Sequence, residues 1–263
     1  MNSKIEYSPE KQPVGQLNIL SIEKLKKLFN LGEKRICKIN CGNGTTGTGF
    51  FCSVVMDELE SLKMRVLITN NQVLDEDKIK LGKKINFTTN DDEQKYEIEV
   101  DKERNIYISS KYDITIIEIK KEDKIQPDAF FEIDDNIFKT DYNYKNKIIY
   151  LLHYPKGKEI SFSNGTIKDV GKGENAYEIY HLCSSDHGSS GGPLITEDFK
   201  VIAINKDAPN EYNYGTLLKE PIIEFRNQIK NNNNKENKNK NKKNDIIEEK
   251  NIENMDKEKK ENF

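Results

Sequence analysis

What most constrains this chain is a long procession of short β-type runs, each bounded by turn residues. From Lys34 to about Lys120 they read KRICKIN, TGTGFFCSVV, MRVLITN, KINFT, YEIEV, NIYIS and DITIIEI. A second series, from about Phe130 to Leu218, reads KIIYLLHY, ISFSNGTI, YEIYHLC, PLITE, KVIAINK and YGTLL. Runs rich in β-branched and aromatic residues at this spacing predict a barrel or sandwich. Asn164-Gly165 and Gly171-Lys172-Gly173 read as turns within the second series. Two similar sets imply two similar β-barrels, an all-β chain. The charged stretch KKEDKIQPDA, with Pro127, fits a surface crossover between them.

The ends read differently. Residues 1 to 20 are polar, with Pro9, Pro13 and Gly15, and predict an extended arm. A short helix follows. Ser21 is its expected N-cap, Ile22, Leu25, Leu28 and Phe29 share one face, and Gly32 stands where the helix should stop. That face is expected to dock on the first barrel. A closing helix is expected over residues 220–230, with Pro221 in its first turn and Ile222, Ile223, Phe225 and Ile229 as apolar contacts. Beyond it the chain turns to Asn, Lys and Glu and cannot bury enough apolar surface to fold alone. The expected division is thus residues 1–33 for the arm and helix, 34–125 for the first barrel, 126–230 for the second barrel with its closing helix, and 231–263 for a disordered tail.

Charge and cysteine content exclude several classes. Lys+Arg of 42 against Asp+Glu of 45 leaves a net charge of -3, too small a field to argue for nucleic acid or an anionic membrane. No apolar run is long enough to span a bilayer, and the opening MNSKIEYSPEKQPVGQ carries no apolar core of a signal peptide, so a cytoplasmic or intracellular protein is expected. Cys37, Cys41, Cys52 and Cys183 form no C-x-x-C pair and read as reduced thiols. A zinc site from Cys37, Cys41, His181 and Cys183 has the ligand types but no standard spacing, and neither metal nor cofactor is expected.

One run carries chemistry. In Gly188-Ser189-Ser190-Gly191-Gly192-Pro193 the glycines permit a turn so tight that neighbouring amides aim at the same point as a serine hydroxyl, which is how an oxyanion hole is built. The donors would be the amides of Gly188 and Ser190. An ordinary Gly/Ser turn is the alternative reading. The hexapeptide is accompanied, in one order, by GTGFF (Gly47 to Phe51), LITNNQVL (Leu67 to Leu74), YDITIIEI (Tyr112 to Ile119) and HYPKG (His153 to Gly157).

Together these motifs resemble the trypsin-like, chymotrypsin-fold serine peptidases over roughly residues 34 to 225, most closely the branch of the bacterial glutamyl endopeptidases and the HtrA-type enzymes. The resemblance implies a double β-barrel with a short N-terminal and a C-terminal helix, and a site in the chain order His, Asp, Ser. Ser190 falls at the nucleophile, Asp113 at the carboxylate that orients the base, and Gln72, in Thr69-Asn70-Asn71-Gln72, at the base itself. An amide cannot take the serine proton and hand it to a leaving amine. Asp113 could instead merely end strand pairing and face solvent. If the mapping holds, Gln72 is expected to donate to Asp113 and accept from Ser190.

The remaining histidines lie in the second half. His153 reads as a turn residue, His181 as a strand residue that could line the substrate pocket, and His187 as facing the substrate entrance. Ser189 stands where secreted digestive relatives carry an aspartate that pairs with a freshly cut N-terminus, so activation by cutting is not expected. The implied primary pocket is formed near Ser184 and Ser185 with Asn205 and Lys206 on its wall, and no acid at Ser184 supports preference for Lys or Arg. Expected functions are a catalytically impaired peptidase homologue binding peptide or protein ligands in the old groove, or alternatively an active serine endopeptidase with a substitute base. A scaffold with an empty groove is the third. Oligomeric state is not encoded in any motif.

Overall fold

The computed structural model describes residues 20–42, 44–57, 61–140, 142–206 and 212–234. The expected N-terminal arm, and the tail beyond residue 234, lie outside the described residues.

Helix α1 (Ile22–Arg35) begins where the sequence places it, with the Ser21 hydroxyl accepting the Lys24 amide at 3.2 Å. Its end differs from expectation. The helix runs through Gly32 to Arg35, because Gly32 lies against Ile160 and Leu152 of the second half rather than turning the chain. Leu28 and Leu31 are the buried anchors, whereas Ile22 and Phe29 are 72% and 60% exposed. The helix therefore bridges the two halves instead of covering the first, and Phe29 meets Phe162 edge-on at 6.2 Å between ring centres.

The first half holds β1 (Ile36–Gly42), β2 (Thr45–Val55), β3 (Lys63–Thr69), β4 (Lys84–Thr89), β5 (Gln94–Glu99), β6 (Ile106–Ser109) and β7 (Ile114–Glu118). Their sheet order is β5-β4-β1-β2-β3-β7-β6. A two-residue strand, β8 (Phe131–Glu132), pairs parallel with β2 from beyond the expected boundary at residue 125. Among the described residues this sheet curls without closing. Successive side chains on β2 and β3 enter different cores: Phe51 and Leu67 pack inside the first half with Phe87 and Ile98, while Phe50, Cys52, Val66 and Ile68 pack toward the second half. Both faces of these strands are thus dry, which is why GTGFFCSVV and RVLIT are nearly continuous apolar runs.

The second half does close. Strands β9 (Ile148–His153), β10 (Ser161–Val170), β11 (Glu178–His181), β12 (Pro193–Thr196), β13 (Val201–Lys206) and β14 (Asn213–Leu217) form a barrel in the order β10-β11-β14-β13-β12-β9. Asn164 and Gly165 are not the expected turn. They lie inside β10 opposite Tyr150 and Ile149, and a side chain at Gly165 would strike the backbone of Leu182 and Cys183 within 3 Å, so glycine here permits close strand approach.

After β14 the chain is helical over residues 219 to 234 (α2), longer than expected. Ile222, Phe225 and Ile229 are buried, and α2 reaches back to the first half through Glu224, which accepts from the hydroxyls of Tyr107 and Tyr112 at 2.7 and 2.8 Å. Gln228 adds a bond to the Ile106 carbonyl. Among the described residues no helix is long and apolar enough to cross a membrane.

Candidate active site

The Gln72 turn holds the Asp113 loop within the first half, and the Ser190 loop of the second half packs on the first half at Thr48 and Thr69. Asp113 precedes β7 in the left-handed region at φ 49°, a conformation that aspartate tolerates better than most residues. Its backbone carbonyl accepts from the Asn70 side chain at 2.8 Å, which ties it to the turn after β3. The Gln72 backbone amide donates to one carboxylate oxygen at 2.9 Å and the Gln72 side-chain amide to the other at 3.2 Å. The carboxylate therefore faces inward to residue 72, not outward to solvent. Burial raises its pKa, opposed by the Gln72 amide and by the charge of Lys206.

The Ser190 loop is held on the other side by the first half. Thr48, inside the GTGFF motif, was not singled out by sequence, yet it makes four of the connections. Its amide donates to the Ser190 carbonyl at 2.9 Å and its hydroxyl to the Gly188 carbonyl at 2.7 Å, while that hydroxyl accepts from the Tyr154 amide at 3.0 Å. The Thr48 carbonyl accepts from the Thr69 hydroxyl at 2.7 Å. Gly191 lies so close that a Cβ would fall 1.9 Å from this carbonyl, and its φ of 93° independently demands glycine. A G-x-G run on one strand facing a G-G run on another is the signal that could have found Thr48.

Within the loop the amide accounts are specific. Ser189 donates to the Asp186 carbonyl, Gly191 to the Asn205 carbonyl and Gly192 to the Ser189 carbonyl, at 2.9, 3.0 and 3.1 Å. The amides of Gly188 and Ser190 have no acceptor among the described residues. The Lys156 amide donates to the His187 carbonyl, and because a peptide plane points its C=O and N–H in opposite directions, the Gly188 amide is turned the other way. Ser190 is 8% exposed, and its hydroxyl has no hydrogen-bond partner among the described residues. The expected Gln72-to-Ser190 bond is therefore not formed, although the Gln72-to-Asp113 bond is.

The pocket residues separate into two groups. Ser184 is exposed and Ser185 half-buried, with the Ser184 carbonyl accepting from the Ser163 hydroxyl at 2.7 Å. His181 and Asn205 are instead fully buried. The Asn205 side-chain amide donates to the Ser189 carbonyl at 3.2 Å, and the buried His181 ring lies against the Asn205 side chain and the Tyr214 backbone. Burial lowers the His181 pKa to about 4, so the ring is neutral. Lys206, nearly buried at the end of β13, lies over the rings of Tyr177 and Tyr214 and has its pKa lowered by burial, against the pull of Asp113.

The other histidines also take definite places. His153 is not a turn residue: it ends β9, is buried, and its Nδ1 lies 2.6 Å from the Ser189 hydroxyl. His187 is exposed on the Ser190 loop.

Comparisons with known proteins agree with this architecture. A family model described as a trypsin-like peptidase domain matches residues 47–204. Among solved structures, a serine endoprotease from Yersinia pestis superposes with a TM-score of 0.55 at 14% identity, covering 78% of this chain and 68% of that one. Deg5 gives a TM-score of 0.56 at 18% identity, covering 77% and 93%. The HtrA-type protease AlgW with tripeptide gives 0.53 at 14%, covering 74% and 60%. No match was found among curated proteins.

Proposed function

The chain belongs to the trypsin-like peptidase domain family, and from that premise we propose that it is a member with impaired hydrolysis whose groove retains the capacity to bind an extended peptide. The observation that carries the reading is the pair of hydrogen bonds from Gln72 to Asp113. In this reading Gln72 takes the place of the family's imidazole, and its bonds to Asp113 support that by bringing an amide against the carboxylate that would orient a base. The nucleophile role falls to Ser190, and the oxyanion role to the amides of Gly188 and Ser190, which have no acceptor among the described residues and so suit a substrate carbonyl.

Without a proton acceptor the Ser190 hydroxyl attacks poorly, and loss of one member of such a triad leaves only about 10³- to 10⁴-fold acceleration over water. Binding needs none of that chemistry. An extended peptide recognised by strand addition would use main-chain groups beside the two free amides, with Ser184 and Ser185 at the mouth of the primary pocket.

Two measurements test the reading together. A fluorophosphonate probe should leave Ser190 unlabelled under conditions that label trypsin fully. An immobilised peptide library should capture the protein, and Ser190→Trp, which fills the groove, should abolish capture. Labelling at a trypsin-like rate would overturn the impairment. Absence of peptide capture would overturn the binding role.

A further inference from the structure

The contact between His153 and Ser189 belongs neither to the Gln72–Asp113–Ser190 set nor to the peptide groove. It joins the last residue of β9 to the residue immediately before Ser190 across 2.6 Å, with the two residues 4% and 1% exposed. Every polar atom of Ser189 is committed to holding the loop. Its amide donates to the Asp186 carbonyl and its hydroxyl oxygen accepts the Asp186 amide, both at 2.9 Å, closing a reciprocal turn. Its carbonyl accepts from the Gly192 amide and the Asn205 side chain. One hydroxyl hydrogen remains. In a buried place it must find an acceptor, and the unprotonated Nδ1 of His153 is the atom within reach.

We infer that His153 is the clamp of the Asp186–Gly192 loop: by accepting the Ser189 hydroxyl proton it fixes the turn that leaves the Gly188 and Ser190 amides free, so the loop is built without a newly cut chain end. His153 acts through Ser189 and is a positioning residue. The clamp depends on a neutral ring. A protonated Nδ1 would become a second donor to an oxygen already accepting from Asp186, and would leave the hydroxyl hydrogen without an acceptor. Burial holds the ring neutral, lowering its pKa to about 4 against the opposing charge of Asp186, which is itself paired with Lys156 Nζ at 3.3 Å. His187 lies next to Asp186 on the same loop, and β10 presents the neutral Ser161 opposite His153.

The test is hydrogen exchange of amides 186–192 in the whole protein, divided by their intrinsic rates, so that neither turnover nor peptide binding enters. Ser189→Ala and His153→Ala should each accelerate this loop roughly tenfold or more, and the double variant should add nothing further. That is the coupling expected of groups acting as one unit. His153→Gln, whose carbonyl oxygen can accept the same proton, should restore protection. In the native protein the normalised exchange should rise as pH falls toward 4, and in His153→Gln it should stay flat. Additive single effects, unchanged exchange in folded Ser189→Ala, or the same pH response in His153→Gln would each overturn the clamp. If His153→Ala does not fold, Ser189→Ala and His153→Gln still decide it.

Discussion

Replacing Gln72 by histidine asks whether one atom type separates this site from a working one. In Gln72 the donor to Asp113 is the terminal amide nitrogen, at 3.2 Å from the carboxylate. In histidine the corresponding donor, Nδ1, sits one bond nearer the backbone. The carboxylate already approaches that backbone, accepting the residue-72 amide at 2.9 Å, so the shorter reach is accommodated. The ring would then carry its Nε2 toward the Ser190 side, where the Gly188 and Ser190 amides have no acceptor among the described residues. A positioned general base contributes about 10²- to 10⁴-fold. Lys206 already offsets part of the Asp113 charge, which reduces what the carboxylate can give an imidazolium. We therefore expect Gln72→His to raise peptide hydrolysis ~10²- to 10³-fold, the lower part of that range, or about 3 to 4 kcal/mol of barrier. Initial rates on a pool of fluorogenic peptides, with the Gln72→His/Ser190→Ala double variant as blank and circular dichroism as the check on folding, measure it. A folded variant no faster than its blank would refute the geometry. Native protein as fast as Gln72→His, and silenced by Ser190→Ala, would place the base elsewhere.

Further outcomes follow from the same contacts. His153 and His181 have pKa values lowered to about 4 by burial, so between about pH 6.5 and 4 the unfolded chain binds more protons than the folded one. Their contribution is whole above about pH 7 and falls with pH, by about 2 kcal/mol each at pH 5; urea melts at both pH values measure it, and pH-independent midpoints would contradict it. Asp113→Asn keeps the left-handed turn and the acceptor for the Gln72 amide while removing a buried charge, so its stability should stay within about 1 kcal/mol of native by chemical denaturation. Thr48→Val leaves the Gly188 carbonyl and the Tyr154 amide without partners, a loss of about 2 to 4 kcal/mol in the same assay. Gly191→Ala meets both a forbidden backbone angle and the Thr48 carbonyl, and should fail to yield folded protein in expression trials.

Most of the fold was legible because strand patterning is local. Thirteen of the strands coincide with runs of β-branched and aromatic residues, and Ser21 announces its helix by a bond three residues away. What escaped was set by distant neighbours. Gly32 and Gly165 have the composition of breaks but are glycines because Ile160 and the Leu182–Cys183 backbone come close. The two-residue strand β8 carries too little pattern to be read at all. Of the site residues that the motifs suggested, Gln72 and Asp113 do touch. The motifs did not reveal that Thr48 braces the Ser190 loop, that His181 and Asn205 are fully buried, or that His153 reaches Ser189 across 36 positions of chain. Those contacts depend on which strand lies beside which.

The tie from Glu224 to Tyr107 and Tyr112 has a mechanical consequence. A segment that leaves one half and fastens onto the other works as a strap, so the cleft between the halves keeps a set gauge before any ligand arrives. A guest would then spend little of its affinity on drawing the walls together. Cutting the strap short of Glu224 should turn a rigid slot into a hinge, with Asp113, one residue from Tyr112, the first part to wander.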